Sequence, residues 1–429
     1  MTTKYKMKKT PIGEIPEEWE VKKLGEITRS FAGGTPNRAK DKYYRNGTIP
    51  WVKSGEVDNR NIIRTEEKIT NIALVETSAR PINPNSILVA LYGATAGKIG
   101  ILRCKASSNQ AVLAIENISS RQELNYLYYQ LSISNKKILS FSQGSGQPNL
   151  SKQIIDSLQI PLPPLAEQKR IAEILGTVDE KLDSIEDQIA QTQQLKKGVM
   201  QKLLTKGIGH TEFKDSPLGP IPISWEVRKL NDFVNEIKGG ASLRPTDFVE
   251  TNGFPVIPKK SITRGGVLKI DKKKPILCTN SFTLNNQNYI VDNSYIITTL
   301  RDLVPSGPSI GYMVQYFEDT RYILAQGVYG IKLNKELNKG FIIQYSNSQY
   351  YRSIMNSIMV GSTQVHIRNG DFLGIKIPFP PLAEQQQIAD ILSTIDEKID
   401  ILKEKRDRYS ELKRGLMQQL LTGKIRTKA

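Results

Sequence analysis

Residues 163–181 read PPLAEQKRIAEILGTVDEK and residues 380–398 read PPLAEQQQIADILSTIDEK, with 14 of 19 positions identical at an offset of 217. A second pair lies upstream: TPIGEIPEEWEVKKL from Thr10 and SPLGPIPISWEVRKL from Ser216, with nine of 15 positions shared. The chain is therefore a tandem repeat. Each half runs from a Trp-Glu-Val opening segment through a long variable stretch to a Pro-Pro-Leu-Ala-Glu-Gln segment.

A long helix should follow each Pro-Pro pair. The prolines preset φ for a first turn, and Glu167 lies near the positive end of the helix dipole. Apolar residues recur at Ile171, Ile174, Val178, Leu182, Ile185 and Ile189, and in the second copy at Ile388, Ile391, Ile395, Ile399 and Leu402. A spacing between 3.5 and 3.6 residues marks a stripe that packs along a partner helix. Helices of roughly 40 residues would be about 60 Å long and cannot bury such a stripe alone. The expectation is that they pair with each other, antiparallel, through these residues. Gly207 and Gly423 stand where each should stop.

Between the landmarks the pattern is largely β. IPWVKSGEV from Ile49, SILVALYG from Ser86, QAVLAIENI from Gln110 and SYIITTL from Ser294 are β-branched runs punctuated by Gly, Pro and Asn. Short helices are expected over 125–139 and 338–358. The resulting fold class is mixed α/β, with curved sheets in two globular domains separated by two long helices. The expected boundaries are 1–162 and 207–379 for the globular domains, 163–206 for the first helix, and 380–429 for the second helix with its basic tail.

Charge divides the same way. The 429 residues hold 60 Lys and Arg against 43 Asp and Glu, a net +17. Residues 1–164 carry +9 and 207–381 carry +6, whereas 165–206 are balanced and 382–422 stand at −1. The globular parts thus look like binders of a polyanion, and the helices like a protein–protein device. Basic and aromatic residues interleave at Arg38, Lys40, Lys42, Tyr43 and Tyr44, with Lys53, Arg60 and Lys98 beyond them. The second domain offers Arg244, Lys259, Lys260, Arg264, Arg301 and Arg368, and a loop carrying Gln364 and His366 that matches Gln147 in the first. Lys and Arg suit phosphates, while Arg, Asn and Gln can pair bidentately with base edges. These are the candidate DNA-contacting residues.

Other chemistry has little support. Cys104, Cys278, His210 and His366 stand far apart and alone, without the paired spacing of a disulfide framework or a four-ligand zinc site, and no metal is expected. LYGATAGKIG from Leu91 lacks the spacing of a phosphate loop, with three residues between its glycines and Ile99 after Lys98. Glu66-Glu67-Lys68 reads as a solvated face, His210 as linker. No apolar run approaches the roughly 20 residues of a membrane helix, and a cytoplasmic protein is expected. No catalytic residue, and no cofactor bound by this chain, is expected.

The duplicated PPLAEQ…IA.IL…DEK openings and the twin Trp-Glu-Val segments resemble the specificity subunit of type I restriction–modification enzymes. The Gly-Ala-Thr-Ala-Gly loop at Gly93 and the loops bearing Gln147 and Gln364 are similar to that family too. The resemblance covers the whole chain. It implies two target-recognition domains, each reading half of a bipartite DNA sequence, and paired helices that set the spacer and dock two modification subunits. Those subunits would carry S-adenosylmethionine and methylate adenine, with restriction and translocase subunits joining them. The chain departs from the pattern once: LRDLVPSGPSIG from Leu300 replaces the second Gly-x-Thr-x-Gly turn. Two other classes remain open on the residues alone, a methyltransferase with unfamiliar motifs and a nucleic-acid-binding module that works without partners.

Overall fold

The computed structural model describes residues 6–57, 60–117, 122–140 and 150–427. It divides into two compact units, the first discontinuous in sequence, residues 1–186 with 405–429, and the second continuous, residues 187–404.

The first unit is organised by a five-stranded sheet in the order Thr28–Ala32, Val112–Asn117, Ser86–Ala90, Ile99–Leu102, Asn61–Ile62. The first three junctions are antiparallel and the last is parallel. Every residue of Ser86–Ala90 and Ile99–Leu102 is buried, which requires cover on both faces. Alternation supplies it. Ile87, Val89, Ile101, Leu113 and Ile115 face a core shared with Tyr126, Leu127 and Leu131, while Leu88, Ala90, Leu102, Val112 and Ala114 face Val52, Val57, Ile62 and Ile82.

The second unit repeats the scaffold with different trim. Val234–Gly239, Val328–Leu333 and Ile296–Thr299 form an antiparallel sheet in the order of their counterparts Thr28–Ala32, Val112–Asn117 and Ser86–Ala90. A separate five-stranded sheet runs Phe248–Val249, Leu277–Cys278, Phe254–Ile257, Tyr322–Leu324, Ile290–Val291. Arg301–Asp302 and Val365–His366 pair as a two-stranded antiparallel ribbon. The helices expected over 125–139 and 338–358 are each broken in two, as Leu124–Ile133 with Asn135–Ser140, and Lys339–Ser346 with Gln349–Ile358.

The duplicated landmarks are bonded to one another, which is why they repeat together. Glu20–Lys23 pairs antiparallel with Gln159–Leu162, the strand that leads into the first Pro-Pro step, and Glu226–Lys229 pairs with Lys376–Phe379 ahead of the second. From these steps rise two stem helices, Leu165–Lys206 and Leu382–Leu420. They run antiparallel in each unit. In the first unit Glu167 meets Arg426 and Asp179 meets Lys413; in the second Lys196 meets Asp396 and Ile208 meets Glu384.

The apolar stripe is buried at Ile171, Val178, Ile185, Ile388, Ile399 and Leu402, and partly buried at Ile174, Leu182 and Ile395. Ile391 departs from the expectation: it is 40% exposed, and Leu392 is fully buried instead. Near its start each helix turns its buried face toward the globular core, through Ile171, Ala172 and Leu175 or Ile388, Ala389 and Leu392. The strict seam position is thereby rotated outward. Among the described residues no helix is long and apolar enough to cross a membrane.

Candidate nucleic-acid interface

In the first unit many of the sequence-predicted cations are already engaged by carboxylates. The Arg38 guanidinium lies over the rings of Tyr44 and Trp51, 4.8 and 4.9 Å from their centroids, and pairs with Glu67. That hydrogen bond raises the Arg38 pKa and holds the Glu67 carboxyl below the usual range. Lys53 binds Glu66 at 2.9 Å and Glu67 at 3.1 Å, so Glu66-Glu67 is a counter-charge platform rather than a free acidic face. Lys42 pairs with Glu76, which also accepts from the Tyr43 hydroxyl at 3.0 Å. Tyr43 is buried, so it serves as packing and not as a contact, and Lys40 lies exposed over its ring. Arg60 turns toward the stem helix: it pairs with Asp179 at 3.3 Å, and Asp179 also receives Lys413 at 2.6 Å and the Tyr129 hydroxyl at 2.6 Å. Burial first, then the Asp179 carboxylate, pushes the Tyr129 pKa up.

The turn at Leu91–Lys98 crosses from Ser86–Ala90 to Ile99–Leu102, with Gly93 and Gly97 at positive φ, and carries Lys98 half-buried at its end. Leu150 donates its N–H to the Leu91 carbonyl at 3.0 Å. Gln147 lies outside the described residues. In the second unit Ile367 donates to the Leu300 carbonyl at 2.9 Å, so the same two loops are stitched together at matching positions.

There the sequence-predicted residues do converge. Arg301 and His366 are cross-strand partners on the ribbon, and Gln364 is exposed one residue beyond it. Arg368 is exposed just below, at the cap of Asn369–Leu373. Lys259 reaches Asp302 on the same ribbon at 3.0 Å, while Lys260, in the same short turn, is exposed. Arg244 is exposed at the cap of Pro245–Asp247, away from the ribbon's hydrogen bonds. Arg264 borders a cleft of about 1320 Å³ with Lys196, Lys197, Arg352, Lys403 and Tyr345.

Asp302, which sequence reasoning passed over, organises this ribbon. Its carboxylate accepts from Lys259, from the Leu303 N–H at 2.7 Å, and from the Ser309 N–H at 3.1 Å and hydroxyl at 2.6 Å. Burial alone would raise its pKa; the Ser309 bonds and the Lys259 ammonium outweigh that and hold it at about 2. An Asp followed seven residues on by Ser, across two prolines and a glycine, was the available signal of a closed loop. Glu167, expected only to meet the helix dipole, also collects the Trp19 indole at 3.1 Å and Arg426 at 2.7 Å. Its counterpart Glu384 takes the Trp225 indole at 2.9 Å, the Ile208 N–H at 2.9 Å and His210 at 2.9 Å, so His210 is part of a packed joint rather than a linker. Cys278 is buried and Cys104 half-buried, both free thiols, and among the described residues no cluster of His, Cys, Asp and Glu could hold a metal.

The arrangement offers two similar scaffolds, with a chemically different exposed loop after the corresponding strand in each, and in the second unit a ribbon that brings Arg301 and His366 together. Comparison with known proteins agrees with that form. A family model described as "Type I restriction modification DNA specificity domain" matches twice, over residues 16–194 and 222–409. The type I restriction enzyme MjaVIII specificity subunit of Methanocaldococcus jannaschii is 31% identical over 416 residues, 96% of this chain and 94% of that protein. Among solved structures, the S subunit of a type I restriction–modification system from M. genitalium has a similar fold, with a TM-score of 0.59 at 16% identity over 94% of this chain and 96% of that one. A chain from a structure addressing complex assembly and conformational transition of the type I system gives 0.57 at 18% identity, covering 96% of this chain and 99% of that one.

Proposed function

Because the chain belongs to the family of type I restriction–modification DNA specificity subunits, we propose that it reads an asymmetric, bipartite duplex target for a multi-subunit methyltransferase and endonuclease. Each globular domain reads one half of the target, and the paired stem helices set the unread spacer and dock two modification subunits. Those partners carry S-adenosylmethionine and transfer its methyl group to adenine; restriction subunits add translocation and cleavage. Recognition is this chain's share of the work, and it takes place in the cytoplasm, where the chromosome is.

The observation that carries the reading is one scaffold built twice with chemically different loops at the same place. The first unit exposes Tyr92 and Ala94 in the loop stitched through Leu91, and the second exposes Leu303 and Val304 in the loop stitched through Leu300. Two identical faces would read a palindrome; two different ones read unlike half-sites. Physically the task divides into two kinds of contact. Cations held on the basic domains attract phosphates and give a salt-dependent, sequence-independent affinity, while side chains on the loops select bases and fix register.

The test is co-expression with a cognate modification subunit, followed by long-read mapping of adenine methylation in host DNA. A single split, asymmetric motif that needs both chains is expected. If the two chains co-purify and leave no mark, the recognition role fails and a partner-independent nucleic-acid-binding module takes its place.

A further inference from the structure

Loop 302–309 of the second unit is held far more firmly than its exposure requires. At its start the Asp302 carboxylate binds the N–H of Leu303, both donors of Ser309, and Lys259. Its middle is a turn closed by the Gly307 N–H on the Val304 carbonyl at 3.0 Å, with Pro305 at the position that favours such a turn. Beyond its end the Tyr351 hydroxyl binds the Gly311 carbonyl at 2.8 Å, and the Arg352 guanidinium binds the Ile310 carbonyl while stacked 4.1 Å from the Tyr312 ring. Yet the loop presents two adjacent aliphatic side chains to solvent: Leu303 is 67% exposed and Val304 45%. The ribbon that leads into the loop pairs Arg301 with His366, and Gln364 is exposed one residue beyond it.

We propose that Leu303 and Val304 are specificity-determining residues that contact thymine C5-methyl groups in the major groove; this rests on the DNA-reading function above. A two-stranded antiparallel ribbon has the width the major groove admits, and thymine is the base that offers an apolar group there. Apolar side chains fixed among hydrogen-bonding ones match a thymine beside bases read by their polar edges. Fixing them beforehand removes the ordering cost that a mobile loop would incur on binding. The first unit, with Tyr92 and Ala94 in the equivalent loop, selects on different grounds.

The experiment measures equilibrium binding of the chain, in complex with its modification subunit, to the mapped target in which each thymine in turn is replaced by uracil. This deletes one methyl and nothing else. Uracil at one or two positions in the second domain's half-site is expected to weaken binding about fourfold each, the worth of one buried methyl. Leu303→Ala and Val304→Ala, both at exposed positions, should each lose the uracil effect at the thymine that its own side chain contacts, and the double variant should bind the thymine and uracil duplexes equally well. Sequence-specific binding that is indifferent to uracil at every position, or a half-site with no thymine on either strand, overturns the assignment and leaves the recognition function standing. Absence of any sequence-specific binding removes both.

Discussion

Two glutamates at matching repeat positions show how much a single side chain can organise. Glu167 accepts from the Trp19 indole and from Arg426, and Glu384 from the Trp225 indole, the Ile208 N–H and His210. Arg426 is a permanent cation, and with Glu167 removed it would stay largely buried and keep the exposed Glu18 carboxylate, at 2.8 Å, as a poorer counter-charge. Glu167→Ala is therefore expected to cost about 3 kcal/mol, and Glu384→Ala, which strands mostly neutral donors, about 2 kcal/mol. Calorimetry with hydrogen exchange to assign the transition to one unit checks the ordering; equal losses would refute it. Asp302 makes a prediction in pH. Its folded pKa of about 2 lies below the ordinary 3.8, so its contribution is complete above about 4 and is lost as pH falls toward 2. Protection of the Leu303 and Ser309 amides, followed by NMR, should decline across that window in the native chain. Asp302→Asn should show weak protection throughout.

At the scale of elements, the stem helices end where glycine takes a conformation that other residues resist. Gly207 has φ of +65° and Gly423 +72°. A Cβ on Gly207 would approach Glu384 and Trp225, and one on Gly423 would strike Pro16. Replacing either by Ala should destabilise its unit by at least about 1–2 kcal/mol from the left-handed backbone alone, measurable as a lowered thermal midpoint. These ends, the Pro-Pro starts and the helical stripe were legible because each rests on local chemistry: a missing N–H, a missing Cβ, a 3.5-residue period. The same holds for the strands at Ile49, Ser86, Val112 and Ile296. The site was legible only in part. Arg301, Gln364 and His366 were marked by type, but their convergence depends on pairing across more than 60 residues of chain. Arg38, Lys53 and Arg60 looked equally promising, and nothing local announces that Glu67 and Asp179 engage them. Ile391 shows the same limit on the stem: a periodicity identifies a face, not which neighbour it meets.

For the molecule as a whole, the excess of 17 positive charges makes affinity for duplex DNA strongly dependent on salt. Lys259 and Lys260, adjacent in sequence, should separate cleanly in this respect. Lys260→Ala, which removes an exposed cation, should weaken binding uniformly across sequences and reduce the log–log salt slope by about 1. Lys259→Ala, which takes the ammonium from Asp302 and leaves only the Leu303 and Ser309 donors, should instead relax sequence preference with little change in slope. Fluorescence anisotropy over a salt series on cognate and scrambled duplexes distinguishes the two, and identical behaviour would contradict the division.

The first unit draws residues 405–429 into its core, with Leu416, Met417, Leu420 and Leu421 packed among side chains from its opening 175 residues. On the ribosome this has a cost in time. The opening segment emerges first but cannot close its core until residues 187–404 have been made, a delay on the order of 10–40 s at ordinary rates of synthesis. The second unit, continuous in sequence, can fold during that interval. The first domain thus waits as a nascent chain with apolar surface uncovered, and a stalled or prematurely terminated translation product should be cleared by chaperones and proteases rather than persist as a half-competent reader.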